Sequence, residues 1–268
     1  MIKSIFRGFS VVAAVVVACV MSGCATGPAW IPDSFLNNMA AQQFAQMQQE
    51  MPVSRNPESL GMVERIANRM ADVVDEDMPG AVWEYVVFDS PQINAFAMPG
   101  GRIGIFQGLI DIVESEDELA IVIGHELAHV MQRHSNQRLT AQLIALGGTA
   151  LVGYAASRQE SIDPQLAMAA FGLGTQVGIL LPFSRAHEYE ADQIGLFLAA
   201  RAGYDPRAAI PLWQRMEGMA GQGSPPEYLS THPSFGNRIQ RLEALMPKAL
   251  ELREEAEARR FLRERGQL

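Results

Sequence analysis

The stretch Leu119-Ala-Ile-Val-Ile-Gly-His-Glu-Leu-Ala-His-Val-Met131 is an apolar run that carries two histidines and one glutamate. In a helix, His125 and His129 project from the same face, roughly 6 Å apart along the axis. Two imidazoles at that spacing can hold one zinc ion. Glu126 is offset by one residue, so it can reach a water at the metal instead of the metal itself. The stretch therefore predicts a helix with a hydrolytic zinc centre and Glu126 as its general base.

A catalytic zinc keeps three protein ligands and one open position, so a third ligand must come from another element. The segment Ser184–Gly195, read as a helix, places Glu188 and Asp192 on one face. Ala191 and Gly195 are small enough for close helix packing. We predict that Glu188 is the third ligand and that Asp192 accepts the free N–H of a ligand histidine. Taken alone, the segment also fits an acidic, solvated helix start.

Four ordered blocks of this sequence resemble the family-48 zinc metallopeptidases, the gluzincins that include HtpX, Oma-type enzymes, BepA and LoiP. The resemblance runs from about Pro57 to Met246 and is nearest to the LoiP-type outer-membrane lipoproteins. It implies an α+β, zincin-like (minigluzincin) fold, mostly helical, with a small, mainly antiparallel sheet beside the HExxH helix. The blocks are Asn94–Gly101 with Ile103–Leu109 behind it, Gly124–His134, Glu188–Asp192, and Thr231–Ser234 with Arg238.

The resemblance also implies roles for individual residues. One Zn²⁺ per chain would be bound by His125, His129 and Glu188, with Glu126 as the general base. His232 would face the metal from a loop, either to support the transition state or to block zinc as a fourth ligand. From the sequence alone, His232 is simply a histidine in a Gly/Ser/Pro-rich loop. His134 and His187 are taken as histidines behind the ligands or on the surface.

Three short runs upstream of the metal helix read as strands. They are Trp83–Phe88, Asn94–Met98 and Arg102–Phe106, with Pro99-Gly100-Gly101 as the turn between the last two. A strand beside the metal helix can bind an extended peptide through its backbone. The resemblance places Asn94, Ala95, Phe96 and Ala97 in such a substrate strand. The pattern alone also fits an ordinary hairpin with Phe96 in the core.

The N-terminus has the features of a secretory signal. Two basic residues precede an uncharged run from Gly8 to Val20, which is shorter than a comfortable transmembrane helix. The run ends at Met21-Ser22-Gly23-Cys24, which resembles a lipobox, so we expect cleavage before Cys24 and diacylation of that cysteine. Ala25 lacks the Asp that favours inner-membrane retention, which favours the periplasmic face of the outer membrane. Cleavage by ordinary signal peptidase, or a plain membrane anchor with an inert Cys24, are the alternatives.

We divide the chain into four parts. Residues 1–23 are a lipoprotein signal peptide, 24–57 the lipidated N-terminus and tether, 58–247 the zinc metallopeptidase domain, and 248–268 a charged, helical C-terminal tail. The formal net charge of −9 argues against nucleic acid and against purely electrostatic binding to anionic lipid. Glu58–Val74 predicts an amphipathic helix. Its expected core face consists of Leu60, Val63, Ile66, Met70 and Val73.

Two apolar segments within the domain allow more than one interpretation. Ala141–Ala156 and Leu166–Leu181 are nearly free of charge and shorter than the roughly 20 residues that cross a bilayer. Their small residues suit tight helix packing, so we favour a buried or membrane-facing helical hairpin. Membrane insertion stays open, because integral-membrane members of the family have spans in this region.

These features predict a zinc-dependent endopeptidase of the bacterial cell envelope. Glu126 would activate the water and then protonate the leaving amine. The resemblance implies misfolded or unassembled envelope proteins as substrates, and the outer-membrane assembly machinery as a second kind of partner. The alternative is a chaperone-like assembly or quality-control factor whose zinc site is plugged by His232 and mostly latent.

Overall fold

The computed structural model describes residues 27–75, 78, 83–143, 184–220, 226–233 and 236–267. The expected signal peptide, Cys24 and most of the two apolar segments at 141–156 and 166–181 lie outside these residues. Among the helices that are described, none combines the length and the apolar character needed to span a membrane.

Three short strands form one sheet in the order β1-β3-β2. β1 (Glu84–Phe88) runs parallel to β3 (Arg102–Phe106), and β2 (Ala95–Met98) runs antiparallel to β3. The expected strands and the mostly helical α+β class are confirmed, but the sheet is mixed rather than mainly antiparallel. The cause is the connection: β2 occupies the far edge, and its hairpin returns β3 to the middle of the sheet, in the same direction as β1.

The turn between β2 and β3 depends on two glycines. Gly100 and Gly101 have φ angles of 83° and 85°. That left-handed region is open to glycine and strained for most other residues. The turn predicted at Pro99-Gly100-Gly101 is therefore confirmed.

The helix α1 (Asp33–Glu50) packs against the sheet. Phe44 is fully buried and meets Phe88 and Phe96 edge-on, with ring centroids 6.3 Å apart in both pairs. Phe106 joins the same cluster, 5.5 Å from Phe88. Aromatic pairs in such tilted and edge-on arrangements are stabilising beyond the area they bury. Residues 33–50, which lie in the segment assigned to the tether, therefore form a packed layer of the fold.

Gly27 and Ile31, which precede α1, form hydrogen bonds with side chains of α5 (His134–Leu143). The N–H of Ile31 donates to Asn136 Oδ1 at 3.2 Å, and Asn136 Nδ2 donates back to the carbonyl of Ile31 at 2.7 Å. The N–H of Gly27 donates to Gln137 Oε1 at 3.1 Å. The N-terminal segment thus lies directly against the helix that follows the HExxH motif.

The amphipathic helix predicted near the start of the domain is α2 (Pro57–Val74). It begins after Asn56, whose Oδ1 accepts the N–H of Glu58 at 3.0 Å, a typical N-cap. Three of the predicted core residues are buried and Val73 is partly buried against the core. Leu60 was predicted wrongly: it lies in the first helical turn with 39% of its surface exposed, and Val74 is buried at the other end. The buried residues of α2 are Ser59, Val63, Ile66, Ala67, Met70 and Val74.

After β3, the chain passes through the short helix α3 (Gln107–Ile110) into the central helix α4 (Glu116–Met131). Ser115 Oγ caps α4 by accepting the N–H of Glu118 at 3.3 Å. Three acidic residues in its first turn oppose the positive end of the helix dipole. Every residue of α4 from Glu118 to His129 is buried. The apolar run that carries the motif is therefore core on all sides.

The helix α6 (Arg185–Arg201) lies against α4 in unusually close contact. A Cβ at Gly195 would fall 2.6 Å from the backbone nitrogen of His125, and a Cβ at Gly124 would fall 2.7 Å from the carbonyl oxygen of Gly195. The backbones of α4 and α6 can come this close because neither Gly124 nor Gly195 has a side chain. The close packing expected from the small residues of this segment is present at Gly195.

The remaining elements surround this pair of helices. A 3₁₀ turn at Pro206–Ala208 leads into α7 (Ala209–Ala220), and a short α8 (Glu227–Thr231) precedes α9 (Arg238–Glu264). α9 packs against α6 at its start, and its last turns, within the charged tail, are exposed and helical.

Gly195→Ala should destabilise the protein, because its methyl group would collide with the backbone of α4 and force the helices apart. We expect a loss of about 1–3 kcal/mol in the free energy of unfolding, as for other overpacked cores. Thermal or urea unfolding of the purified protein measures it. Gly218→Ala is the control: it lies exposed on α7, where an added Cβ would meet no atom within 4 Å, and it should gain about 0.5–1 kcal/mol. Equal stability of the two variants would contradict the close contact.

Candidate metal centre

Four side chains from three parts of the fold converge on one point in the interior. His125 and His129 come from α4, Glu188 from the first turn of α6, and His232 from the residue after α8. One donor atom of each lies within 4.8 Å of the other three, and all four side chains are buried. The structure thus brings together the three predicted ligands and His232, which the family resemblance places facing the metal.

The spacing of these donor atoms fits a tetrahedral zinc ion. His125 Nε2 lies 3.0 Å from His129 Nε2 and 3.2 Å from His232 Nδ1. Glu188 Oε1 lies 3.4 Å from His129 Nε2 and 3.1 Å from His232 Nδ1. With ligand bonds of about 2.0–2.2 Å, the edges of a coordination tetrahedron measure roughly 3.3 Å. Imidazole nitrogens and a carboxylate are also donors that zinc favours, so the residues present fit this metal.

The electrostatics of the cluster favour a cation at its centre. Burial alone would raise the pKa of the Glu188 carboxyl, but three imidazoles hold that pKa well below its usual range. Burial alone would lower the pKa of His125, but hydrogen bonds with Asp192 and Glu188 outweigh it and raise that pKa to about 9. When no metal is bound, the raised pKa therefore favours a positive charge on His125 beside the buried carboxylates. A bound metal ion supplies that positive charge instead.

Asp192 orients one of the histidines. Its Oδ1 lies 3.0 Å from His125 Nδ1 and 2.5 Å from Arg238 Nη2. Because a carboxylate accepts, Nδ1 of His125 carries a proton, and Nε2 is the nitrogen that faces the other donors and would bind the metal. Arg238 is itself buried and stacks over Trp213, with its guanidinium carbon 3.3 Å from the ring centroid. This places Asp192 in the position expected of an acceptor behind a metal ligand.

Glu126 lies beside the four donors and outside their set. Its Oε1 accepts the hydroxyl of Tyr228 at 2.8 Å and lies 3.4 Å from His232 Nε2. Its Oε2 accepts the backbone N–H of Ala97 at 3.2 Å. A carboxylate next to a metal position, and not bound to it, is placed to exchange protons with a reacting group.

Of the four predicted substrate-strand residues, Ala97 is the one that contacts the site. β2 is an edge strand, because β3 is its only partner in the sheet that the structure describes. The ring of Phe96 joins the aromatic cluster under α1. Asn94 Oδ1 accepts the N–H of Ala95 at 2.9 Å, next along the chain. The strand therefore reaches the site through its backbone at Ala97, while Phe96 is a packing residue.

Tyr228 and His134 also contact the site, although the sequence alone does not assign them a role there. Tyr228 stacks on His232 with ring centroids 4.4 Å apart, and burial raises the pKa of its hydroxyl well above the usual value. An aromatic residue four positions before the loop histidine was the available signal. His134 Nδ1 lies 2.9 Å from His129 Nδ1. Residues five apart do not share one face of a continuous helix, so helical periodicity could not reveal this contact.

Comparison with known proteins gives a consistent match. The sequence model of peptidase family M48 matches residues 57–246 of the chain. The chain is 36% identical to the mitochondrial metalloendopeptidase OMA1 of Schizosaccharomyces pombe over 82% of its length, which is 64% of that protein. It is 39% identical to the mitochondrial metalloendopeptidase OMA1 of Bos taurus over 67% of its length, which is 36% of that protein.

A bacterial relative is similar over a shorter part of the chain. The chain is 33% identical to the beta-barrel assembly-enhancing protease of Escherichia coli K12 over 59% of its length, which is 33% of that protein. This chain therefore spans between about a third and two thirds of the length of the relatives described here.

Asp192→Asn should weaken zinc binding, because it removes the charge that holds both the His125 proton and Arg238. Loss of such a partner behind a metal ligand typically costs 10–100-fold in affinity, and we expect a loss in that range. Competition with a chromophoric zinc chelator measures it. Asp72→Asn, which changes an exposed carboxylate on α2, is the matched control. Equal zinc affinities in the two variants would rule out this role for Asp192.

Proposed function

Since this chain belongs to peptidase family M48, as its match over residues 57–246 shows, we propose that it is a zinc-dependent endopeptidase of the bacterial cell envelope. His125, His129 and Glu188 hold the zinc, and Glu126 is the general base. The position of Glu126 carries this proposal: its carboxylate lies beside the donor set and in contact with the backbone of an edge strand.

The metal, Glu126 and the β2 edge have separate roles in the proposed peptide hydrolysis. When bound, zinc supplies Lewis acidity, which polarises a carbonyl and lowers the pKa of water. Glu126 accepts the proton of the attacking water and then delivers it to the leaving amine. An extended peptide lies along the β2 edge near Ala97, where backbone hydrogen bonds align it without demanding a particular sequence.

The proposed setting is the periplasmic face of the outer membrane. It is supported by the signal-like N-terminus and by Cys24, which resembles the acylated cysteine of a lipobox. The proposal includes membership of the LoiP-type branch of the family, which the sequence resembles. Its substrates are misfolded or unassembled envelope proteins, and its neighbours include the outer-membrane assembly machinery. Similarity to a protein named as a beta-barrel assembly-enhancing protease supports this part of the proposal.

One observation favours a second function, that of a chaperone-like assembly or quality-control factor. A catalytic zinc keeps an open position, whereas four protein donors give a closed, tetrahedral site. His232 Nδ1 completes such a set, at 3.2 Å from His125 Nε2 and 3.1 Å from Glu188 Oε1. In this arrangement the centre is latent until His232 withdraws.

Glu126→Gln should abolish cleavage of an unfolded protein and leave zinc in place, because the amide cannot accept the proton of the water. General-base catalysis typically contributes 10²–10⁴-fold, so we expect a loss of at least about 100-fold. The assay is casein cleavage by the purified protein, with the zinc content of both forms measured in parallel. If both forms contain zinc and neither cleaves casein, the latent, chaperone-like function is favoured.

If His232 plugs the zinc, His232→Ala should raise the rate of casein cleavage severalfold, because it opens the fourth position of the metal. The double variant Glu126→Gln/His232→Ala controls for contaminating proteases and should be inactive. A lower rate in His232→Ala with zinc retained would instead show that His232 supports the transition state.

A further inference from the structure

A second pair of hydrogen bonds lies behind the metal centre, on the side of His129. His134 is completely buried, and its Nδ1 lies 2.9 Å from His129 Nδ1. Its other nitrogen, Nε2, lies 3.2 Å from Glu190 Oε2. Glu190 is on α6, two residues after the ligand Glu188. The three side chains form a row that leads from the metal position to the partly exposed carboxylate of Glu190.

With His129 and His134 neutral and Glu190 ionised, the row permits one arrangement of protons. A carboxylate only accepts, so Nε2 of His134 carries a proton and donates it to Glu190. Nδ1 of the neutral His134 ring then has a lone pair and accepts from His129. His129 therefore carries its proton on Nδ1. Its Nε2, which is the atom 3.0 Å from His125 Nε2 and 3.4 Å from Glu188 Oε1, is left with a lone pair for the metal.

We propose that His134 is a positioning residue for the metal centre, which holds His129 in its metal-binding tautomer and takes its own tautomer from Glu190. The inference deepens the proposed function and rests on its metal site, but not on its proteolysis. It gives His129 what Asp192 gives His125: an acceptor for the ring N–H that points away from the metal. In metal sites such an acceptor fixes the tautomer and the ring orientation of the ligand histidine.

The local backbone is built to bring His134 into this position. α4 ends at Met131, and Arg133 adopts a left-handed conformation with φ of 56°. That conformation is costly for a residue other than glycine, and it reverses the chain so that α5 can begin at His134. The side chain of Arg133 is paired with Asp33 of α1 at 2.7 Å. The turn is therefore held from outside by the N-terminal helix.

The ring of His134 is also fixed from its face. His187, on α6, stacks on it with ring centroids 4.2 Å apart and an interplanar angle of 23°. His187 Nε2 lies 3.1 Å from Gln137 Oε1, which also accepts the N–H of Gly27. Packing of this kind holds the plane of the ring, so both of its nitrogens stay directed at their partners.

The test compares variants that keep or remove the acceptor for His129. In the full-length protein, His134→Leu removes it, whereas in His134→Asn the side-chain oxygen can take the place of Nδ1. We expect His134→Leu to bind zinc 10–100-fold more weakly than the wild type. His134→Asn should recover most of that affinity. Zinc affinity is measured by chelator competition, and the visible spectrum of the Co²⁺-loaded protein reports the coordination geometry.

Glu190 provides a second, independent pair of variants. Glu190→Gln keeps an oxygen that accepts from His134, so its zinc affinity and Co²⁺ spectrum should stay near those of the wild type. Glu190→Leu removes that oxygen and should weaken zinc binding and alter the spectrum. The unfolding temperature of each metal-free variant is measured alongside, because a purely structural role would change stability without a difference between the Asn and Leu variants in the Co²⁺ spectrum.

The proposal is overturned if folded His134→Leu binds zinc as tightly as the wild type, or if His134→Asn and His134→Leu are weakened equally. If His134→Leu does not fold, the Glu190 pair decides, and equal affinities of Glu190→Leu and Glu190→Gln overturn the proposal. A wild-type protein that binds zinc without cleaving casein would contradict the proposed peptidase function and would leave this test intact.

Discussion

The metal centre depends on how closely α4 and α6 approach each other. Gly124 precedes the first ligand histidine, and Gly195 lies two turns after Glu188. A Cβ at either glycine would fall 2.6–2.7 Å from the backbone of the other helix. At this separation the Glu188 carboxylate reaches both His125 and His129, at 3.5 and 3.4 Å. Because close-packed interiors transmit a shift of one helix to its side chains, two residues without side chains set the size of the site.

The site also concentrates charge where water is excluded. Glu188 and Asp192 are both buried carboxylates, and a buried charge without a partner is strongly destabilising. Arg238 lies between them, with Nη2 2.5 Å from Asp192 Oδ1 and 3.8 Å from Glu188 Oε2. The raised pKa of His125, which comes from its hydrogen bonds with Asp192 and Glu188, favours a further positive charge on that ring when no metal is bound. Zinc binding therefore completes the electrostatics of the folded interior as well as preparing the chemistry.

The sequence predicted what depends on helical spacing, and it failed where distant elements meet. His125, His129, Glu188 and Asp192 could be found because each pair repeats at four residues on one helix face. The three strands were predicted correctly, but the parallel pairing of β1 with β3 depends on strand order, which alternation does not encode. The packing of α1 through Phe44 was not foreseen, since the apolar and polar residues of this Gln-rich helix are not clearly separated between its faces. The contact of His134 with His129 required the left-handed Arg133, which no residue preference indicates.

The same short turn that completes the metal site also restrains the general base. Tyr228 donates to Glu126 at 2.8 Å, and its ring stacks on His232, whose N–H donates to the carbonyl of Tyr228 at 2.8 Å. The N–H of Tyr228 in turn donates to the carbonyl of Ile93, just before β2. The aromatic stack and this backbone bond therefore couple the position of His232 to that of Tyr228. The same five-residue helix and its C-cap thus contact both the metal ligands, through His232, and the general base, through Tyr228.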